Sequence, residues 1–282
     1  MFRDRRQLLE KIMIVVSAAT GEFGRLVVDQ LLNRVPASDV SVAVRDLHKA
    51  ADRGVQVRYG DYDEPDSLRN SFNGADRLLF ISAPSFDSGE RMQQHHNVVD
   101  AALTSGVGHL VYTSGLGADV VDEGGLADHH ATERAIRNSG LPYTIVRHPI
   151  YSEWFINPGL RESIEAGELT SSSGGRGMNT ALRADLAEAA AVVLTGQDQL
   201  AGSYDFTGRR WTFDELAQVL SDISGRTIIH RQVDADEGIM TMIGPTVRAG
   251  MFEHQTDDLE RVLGHSSTSL RAAVSAVLQS RA

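Results

Sequence analysis

At 282 residues, 41% apolar and 23% charged, the chain has the make-up of a soluble globular protein with one large α/β domain, or one domain and a smaller companion. A formal net charge of −11 argues against a sequence-independent grip on nucleic acid, which needs clustered excess Lys and Arg. The lack of cysteine excludes disulfides, thiolate nucleophiles and cysteine-ligated metal centres, and no apolar run approaches the ~20 residues of a membrane span.

Residues 1–11 are charged and lack the apolar core of a signal peptide, so they read as an N-terminal extension explained by an upstream start codon. A cytoplasmic protein is the expectation. Strand-like apolar runs then alternate with amphipathic stretches, the pattern of a parallel sheet covered by helices. The runs predict strands at 12–17, 40–44, 55–59, 77–82, 108–113 and 142–147, and helices at 22–34, 64–73, 88–105 and 126–139. Asn73-Gly74 and Ser139-Gly140-Leu141-Pro142 supply turn chemistry between them. The expected fold is therefore α/β, a Rossmann-like doubly wound parallel sheet over 12–150. From 151 the alternation weakens, with helices at 152–166 and 183–195 and a strand near 203–207. Thr212 and Glu215 form a capping-box pattern ahead of another helix. Residues 151–282 read as a smaller discontinuous substrate lobe, with parts returning to the first domain.

The most informative stretch is Ser17-Ala18-Ala19-Thr20-Gly21-Glu22-Phe23-Gly24, between the apolar run Ile12–Val16 and a helical pattern. A buried strand, a small-residue turn and a helix form the entry that receives a pyrophosphate on backbone N–H groups. The usual pattern is Gly-x-x-Gly-x-x-Gly; here Ala18 takes the first place, with Gly21 and Gly24 in the others. An NAD-preferring domain ends its second strand in Asp or Glu, whereas this one reads Val42-Ala43-Val44-Arg45-Asp46. Arg45 can hold a 2′-phosphate bidentately, with His48 and Lys49 adding charge, which points to NADP(H). The plainer alternative makes Arg45 a solvated strand-end cation and Asp46 a cap. Asp61 is positioned to approach the adenine edge or, equally, to serve a turn with Asp63. Ser82-Ala83-Pro84 has the small residues needed where a dinucleotide crosses the sheet edge, or is a simple loop.

The chain contains no Tyr-x-x-x-Lys, the proton-donating pair of ordinary short-chain dehydrogenases, although Ser114 stands where such an enzyme carries its serine. His129 and Glu133, an i, i+4 pair on one helical face, take the corresponding place. Lack of a strong positioned acid suits hydride transfer to a quinone or a cationic conjugated dye. His129 is the candidate proton donor or pocket residue, against a purely structural histidine. His95-His96 reads as polar helix surface or pocket wall, and no converging ligand set for a metal is visible. Extended backbone before Pro149 is expected to bring Tyr151 and Trp154 toward a flat acceptor, with core packing as the alternative.

These residues carry a resemblance. Val35-Pro36-Ala37-Ser38, Ala43-Val44-Arg45, Gly60-Asp61-Tyr62, Leu79-Phe80-Ile81-Ser82, Gly106-Val107-x-His109-Leu110-x-Tyr112-Thr113, Leu141-Pro142-Tyr143-Thr144, Tyr151-Ser152-Glu153 and the run Trp211–Ala217 occur in order. Through them the chain resembles the NmrA-like group of atypical short-chain dehydrogenases, and within it the NADPH:quinone oxidoreductases of the second type and triphenylmethane dye reductases. The resemblance implies NADPH held by Thr20, Gly21, Glu22, Phe23, Gly24, Arg45, the Ser82, Ala83, Pro84 loop and the 148–152 segment with His148, Ile150 and Tyr151; Ala19, Lys49 and Asp61 complete the candidate cofactor-binding residues. His129 and Tyr151 are the candidate catalytic residues. It further implies a small planar acceptor reduced without flavin or metal, no membrane or nucleic-acid partner, and room for a homodimer. Three features depart from the pattern: Ala18, His148-Pro149 in place of Asn and a small residue, and a shortened 234–256 segment. An NmrA-like NADP(H)-sensing regulator without turnover, and a reductase or isomerase of some unrelated substrate, stand as alternatives.

Overall fold

The computed structural model describes residues 12–85, 87–196 and 202–280, so the expected extension at 1–11 lies outside the described residues. In chain order the first part comprises β1 (Ile14–Ser17), α1 (Glu22–Leu32), β2 (Val40–Val44), β3 (Gln56–Tyr59), α2 (Pro65–Phe72), β4 (Arg77–Phe80), α3 (Ser88–Thr104), β5 (His109–Gly115), α4 (Ala127–Asn138) and β6 (Tyr143–His148). The rest comprises α5 (Leu160–Ala166), β7 (Glu168–Ser171), β8 (Met178–Asn179), α6 (Arg183–Thr195), β9 (Gly202–Asp205), β10 (Arg210–Trp211), α7 (Phe213–Ser224), β11 (Ile229–Gln232), α8 (Met240–Arg248), α9 (Asp258–Leu263) and α10 (Leu270–Gln279).

The seven-stranded sheet has the order β3-β2-β1-β4-β5-β6-β9. The pairs β3–β2, β2–β1, β1–β4 and β4–β5 are all parallel, with Val16 opposite Val42 and Leu79. Strands covered on both faces read as near-continuous apolar runs, as β1, β2 and β4 do apart from Ser17, Ser41 and Arg77, and all three are buried along their whole length. The strand order reverses at β1 and β4. In such sheets ligands bind at the carboxyl ends flanking that reversal.

The chain divides into two compact units: residues up to Ile145 together with Val193–Ser203, and Val146–Val192 together with the stretch from Tyr204 onward. Val15, Leu68, Phe72, Leu78, Phe80, Val98, Leu110 and Ile136 form the core of the first. The second packs Ile156, Leu160, Met178, Trp211, Phe213, Leu216, Leu220 and Val247. It also holds two small sheets, β7 parallel to β11 and β8 antiparallel to β10.

The α/β reading of the sequence is borne out. The capping box at Thr212 and Glu215 is present, each residue bonding the other's backbone N–H. The continuous helix expected over 152–166 is not formed. A 3-10 turn at Ser152–Trp154 is separated from α5 by Asn157-Pro158-Gly159. Pro158 pushes Asn157 away from helical torsions, and Asn157 then closes a turn by accepting the Gly159 N–H at 2.9 Å.

Candidate functional site

Ser17, the last residue of β1, is fully buried and knots three segments together. Its hydroxyl donates to Leu79 O at 3.0 Å, accepts from Ile81 N–H at 3.2 Å and lies 2.5 Å from the Tyr62 hydroxyl. Past it the chain reverses at Ala18, whose φ of 49° makes it the one non-glycine residue with positive φ among the described residues. An L-residue in this region carries a penalty of about 1–2 kcal/mol that glycine does not. The turn is held by Ala18 N–H on Ala43 O and by Gly21 N–H on Ala18 O, both at 3.1 Å.

Gly21 then caps α1 with no side-chain cap bond, in extended backbone that any residue could adopt. A Cβ there would meet only Ala18 O, at an ordinary 3.5 Å, and an uncapped helix N-terminus of this kind leaves room for the close approach of an anion. Gly24 has an internal reason: a Cβ there would stand 2.7 Å from Ala19 Cα and 2.8 Å from Ala18 O. Ala19 and Phe23 are buried behind the loop, while Thr20 is half-buried and Glu22 exposed.

In front of the turn lies a cavity of about 550 Å³, within the size range of cofactor sites. Ala18, Thr20, Gly21, Arg45, Lys49, Asp61 and Pro84 all line it. Arg45 is exposed on its rim, just past the end of β2. Asp46 is used locally, accepting the His48 N–H at 3.0 Å and lying 3.8 Å from Lys49 Nζ. Asp61 closes a turn by accepting the Asp63 N–H at 3.1 Å.

The loop after β4 is pinned from behind. Ser82 N–H donates to Thr113 Oγ1 at 3.0 Å, and Ala83 N–H donates to His95 Nε2 at 2.9 Å. His95 is 1% exposed, which corrects its reading as helix surface or pocket wall; His96 is the solvent-facing member of the pair, 3.3 Å from Asp100. Nε2 accepts, so Nδ1 carries the proton and donates to Thr132 Oγ1 at 2.8 Å, which donates on to Asp128 O. Burial, with the positive charge of Arg91 and the His129 ring adding to it, pushes the His95 imidazole down to about 2. It stays neutral as a fixed acceptor for the loop.

His129 projects from α4 between two partners. Arg91 Nη2 lies 2.7 Å from Nε2, and the Tyr112 hydroxyl lies 2.8 Å from Nδ1. A guanidinium only donates, so Nε2 is the acceptor and Nδ1–H points at Tyr112. Tyr112 is fully buried, and burial pushes its phenol well above the ordinary value. Glu133 goes elsewhere: it accepts from Ser114 Oγ at 2.7 Å and pairs with Arg137 at 2.9 Å. The i, i+4 pair therefore shares a helix but enters two separate networks.

In the second unit His148 is buried and stacked on Phe206, rings 15° from parallel and 6.1 Å apart, and burial pushes its imidazole down to about 3. Ile150 and Tyr151 run alongside Ala181, and Ser152 N–H donates to Ala181 O at 2.9 Å. The Arg183 guanidinium sits 4.4 Å over the Tyr151 ring. Burial pushes the Tyr151 phenol up to about 12, with Arg183 opposing. Trp154 is half exposed.

Arg91 and Tyr112 were not singled out for this site by their sequence pattern, and His95 was read only as helix surface or pocket wall, although one signal was available. Arg91, His95, Val98, Val99 and Ala102 fall on one helical stripe, and the last three are buried apolar residues. Among the described residues no group of three His, Cys, Asp or Glu is placed to hold a metal, and no helix is long and apolar enough to cross a membrane.

A parallel sheet reversing at β1 and β4, a tight turn into an uncapped helix N-terminus and a basic rim after β2 together define a dinucleotide-binding protein of the Rossmann type. A family model described as NAD(P)H-binding matches residues 18–197, and the chain belongs to that family, in its NmrA-like group of oxidoreductases. It is 32% identical to quinone oxidoreductase 2 of Escherichia coli strain K12, over 93% of this chain and 98% of that protein. Triphenylmethane reductase of Citrobacter sp., solved with NADP(H), superposes with a TM-score of 0.86 at 38% identity, covering 94% of this chain and 99% of that one. The E. coli NADPH-dependent quinone oxidoreductase solved with NADPH superposes with a TM-score of 0.86 at 31% identity, covering 95% and 100%.

Gly24→Ala is expected to lower the thermal unfolding midpoint, because overpacking of this kind costs about 1–3 kcal/mol. It is also expected to weaken NADPH, read by nicotinamide fluorescence. An unchanged midpoint and affinity would show that the turn is not closely packed against α1.

Proposed function

We propose that this chain is an NADPH-dependent oxidoreductase that passes hydride directly to a planar quinone or a cationic triarylmethane-type dye, with neither flavin nor metal. The observation that carries this reading is the cavity at the carboxyl end of β1 and β2, which is lined by the phosphate turn together with Arg45 and Lys49. The chain's residues suit the cofactor. Gly24 lets the turn close, Gly21 leaves the first turn of α1 without a side-chain cap, and an arginine stands where NAD-preferring proteins have a carboxylate. The relatives named for quinone and triphenylmethane reduction support the acceptor class. The same reading makes the protein a cytoplasmic enzyme of small molecules, as a monomer or a homodimer.

In this mechanism the helix N-terminus receives the pyrophosphate, and Arg45 with Lys49 holds the 2′-phosphate. Asp61 and the Ser82–Pro84 loop border the adenosine and central part, while His148, Ile150 and Tyr151 serve the nicotinamide side. When bound, the dihydronicotinamide supplies the hydride. Addition of hydride to the central carbon of a cationic dye gives a neutral product and needs no proton. Reduction of a quinone leaves a phenolate-type oxygen that takes its proton from water. His129, with Nε2 facing Arg91 and Nδ1–H facing Tyr112, is the candidate proton donor or positioning residue, and Tyr151 offers an aromatic wall to a flat acceptor.

Titration with NADPH and NADH, followed by acceptor-dependent NADPH oxidation, tests the whole reading. Micromolar NADPH binding with turnover supports it; binding without turnover on any quinone or dye would favour a cofactor-sensing regulator. Arg45→Ala is expected to weaken NADPH by about 1.5–3 kcal/mol, the value of a charge-assisted bond, and to spare NADH. Equal losses for both cofactors would remove Arg45 from the 2′-phosphate. His129→Ala is expected to lower kcat and leave NADPH affinity unchanged, and unaltered turnover would make His129 purely structural.

A further inference from the structure

Arg25 stands four residues past Gly21 on α1, and its side chain turns back over the phosphate turn. Nε donates to Thr20 O at 2.8 Å, and Nη2 reaches Lys49 O at 3.5 Å. Thr20 belongs to the turn in which Ala18 is left-handed, and Lys49 to the turn that follows Arg45. One guanidinium thus reaches both the phosphate turn and the turn after Arg45, two segments that line the same cavity. Both contacts are to backbone carbonyls, so the side chain fixes where the loops lie.

Ala18 gives the opposite tendency. Its methyl group disfavours the left-handed torsion, so a loop without further support relaxes toward negative φ and carries the Gly21 N–H and the start of α1 out of alignment. We propose that Arg25 is a positioning residue of the dinucleotide site that compensates for Ala18, holding the strained turn in the form that accepts a pyrophosphate. This inference rests on the dinucleotide reading of the cavity. Apparent affinity falls with the fraction of molecules whose loop is competent, so loss of Arg25 weakens NADPH and NADH alike. Arg45, by contrast, distinguishes the two. The planar fork supplies two directed donors to two carbonyls, which a lysine ammonium does not reproduce.

A double-mutant cycle tests this: the parent, Ala18→Gly, Arg25→Met and the double variant, with Arg25→Lys alongside. Dissociation constants for NADPH and NADH come from nicotinamide fluorescence, and thermal melts of the free proteins check folding. Arg25→Met is expected to weaken both cofactors about tenfold when Ala18 is present. Once Ala18 is replaced by glycine the loss is expected to shrink to under about threefold. Arg25→Lys is expected to resemble Arg25→Met. The proposal is overturned by an equal loss in both backgrounds, by full recovery with lysine, or by no loss. If the parent binds neither cofactor, the dinucleotide reading itself fails. The melts then still decide the coupling: Arg25→Met must lower the midpoint more in the parent than in the Ala18→Gly background, and equal shifts overturn it.

Discussion

Where β1 ends, the backbone must turn at once into α1 while leaving the helix N-terminus open, and in this chain it does so through an alanine in left-handed torsion. The rest of the dinucleotide end depends on that turn. Its position comes from the sheet, since Ser17 is locked to Leu79, Ile81 and Tyr62, and the Ala18 amide is bonded to Ala43 on the neighbouring strand. Its tightness comes from Gly24, which lets α1 pass within contact distance of the Ala19 backbone. The basic residues after β2 and the loop after β4 line the same cavity as that turn.

Polar groups in the interior hold the remaining loops. His95, Thr132 and Asp128 form a relay ending on a backbone carbonyl, and its free end anchors Ala83. Each member has a partner, which is the condition for a buried polar network to define a conformation and not weaken the core. The Arg91–His129–Tyr112 set and the Ser114–Glu133–Arg137 set show how one helix can serve two networks. His129 and Glu133 are thus each engaged by other side chains of the protein.

Much of this was legible in the sequence, for physical reasons that differ by element. Strands buried on both faces announce themselves as apolar runs, and the run at 40–44 matches β2 at both its ends. The N-terminal cap of α7 and the extent of α6 were equally plain. The strands β7, β8, β10 and β11 were not, because they are two to four residues long and carry polar side chains such as His230, Arg231 and Gln232. The helical pattern over 152–166 concealed a break that Pro158-Gly159 should have flagged. At the site, motif positions declared the turn and Arg45. Arg25 gave no signal, since its partners are backbone carbonyls, one of them in a segment distant in sequence.

Direct hydride transfer is best tested with deuterium. The purified protein, free of added flavin, would reduce a cationic triarylmethane dye with NADPH deuterated at the transferable position of the nicotinamide. One deuterium on the central carbon of the colourless product, in normal water, is the predicted result. A product whose new hydrogen comes from solvent, or formation of product only when flavin is supplied, would contradict direct transfer between cofactor and acceptor.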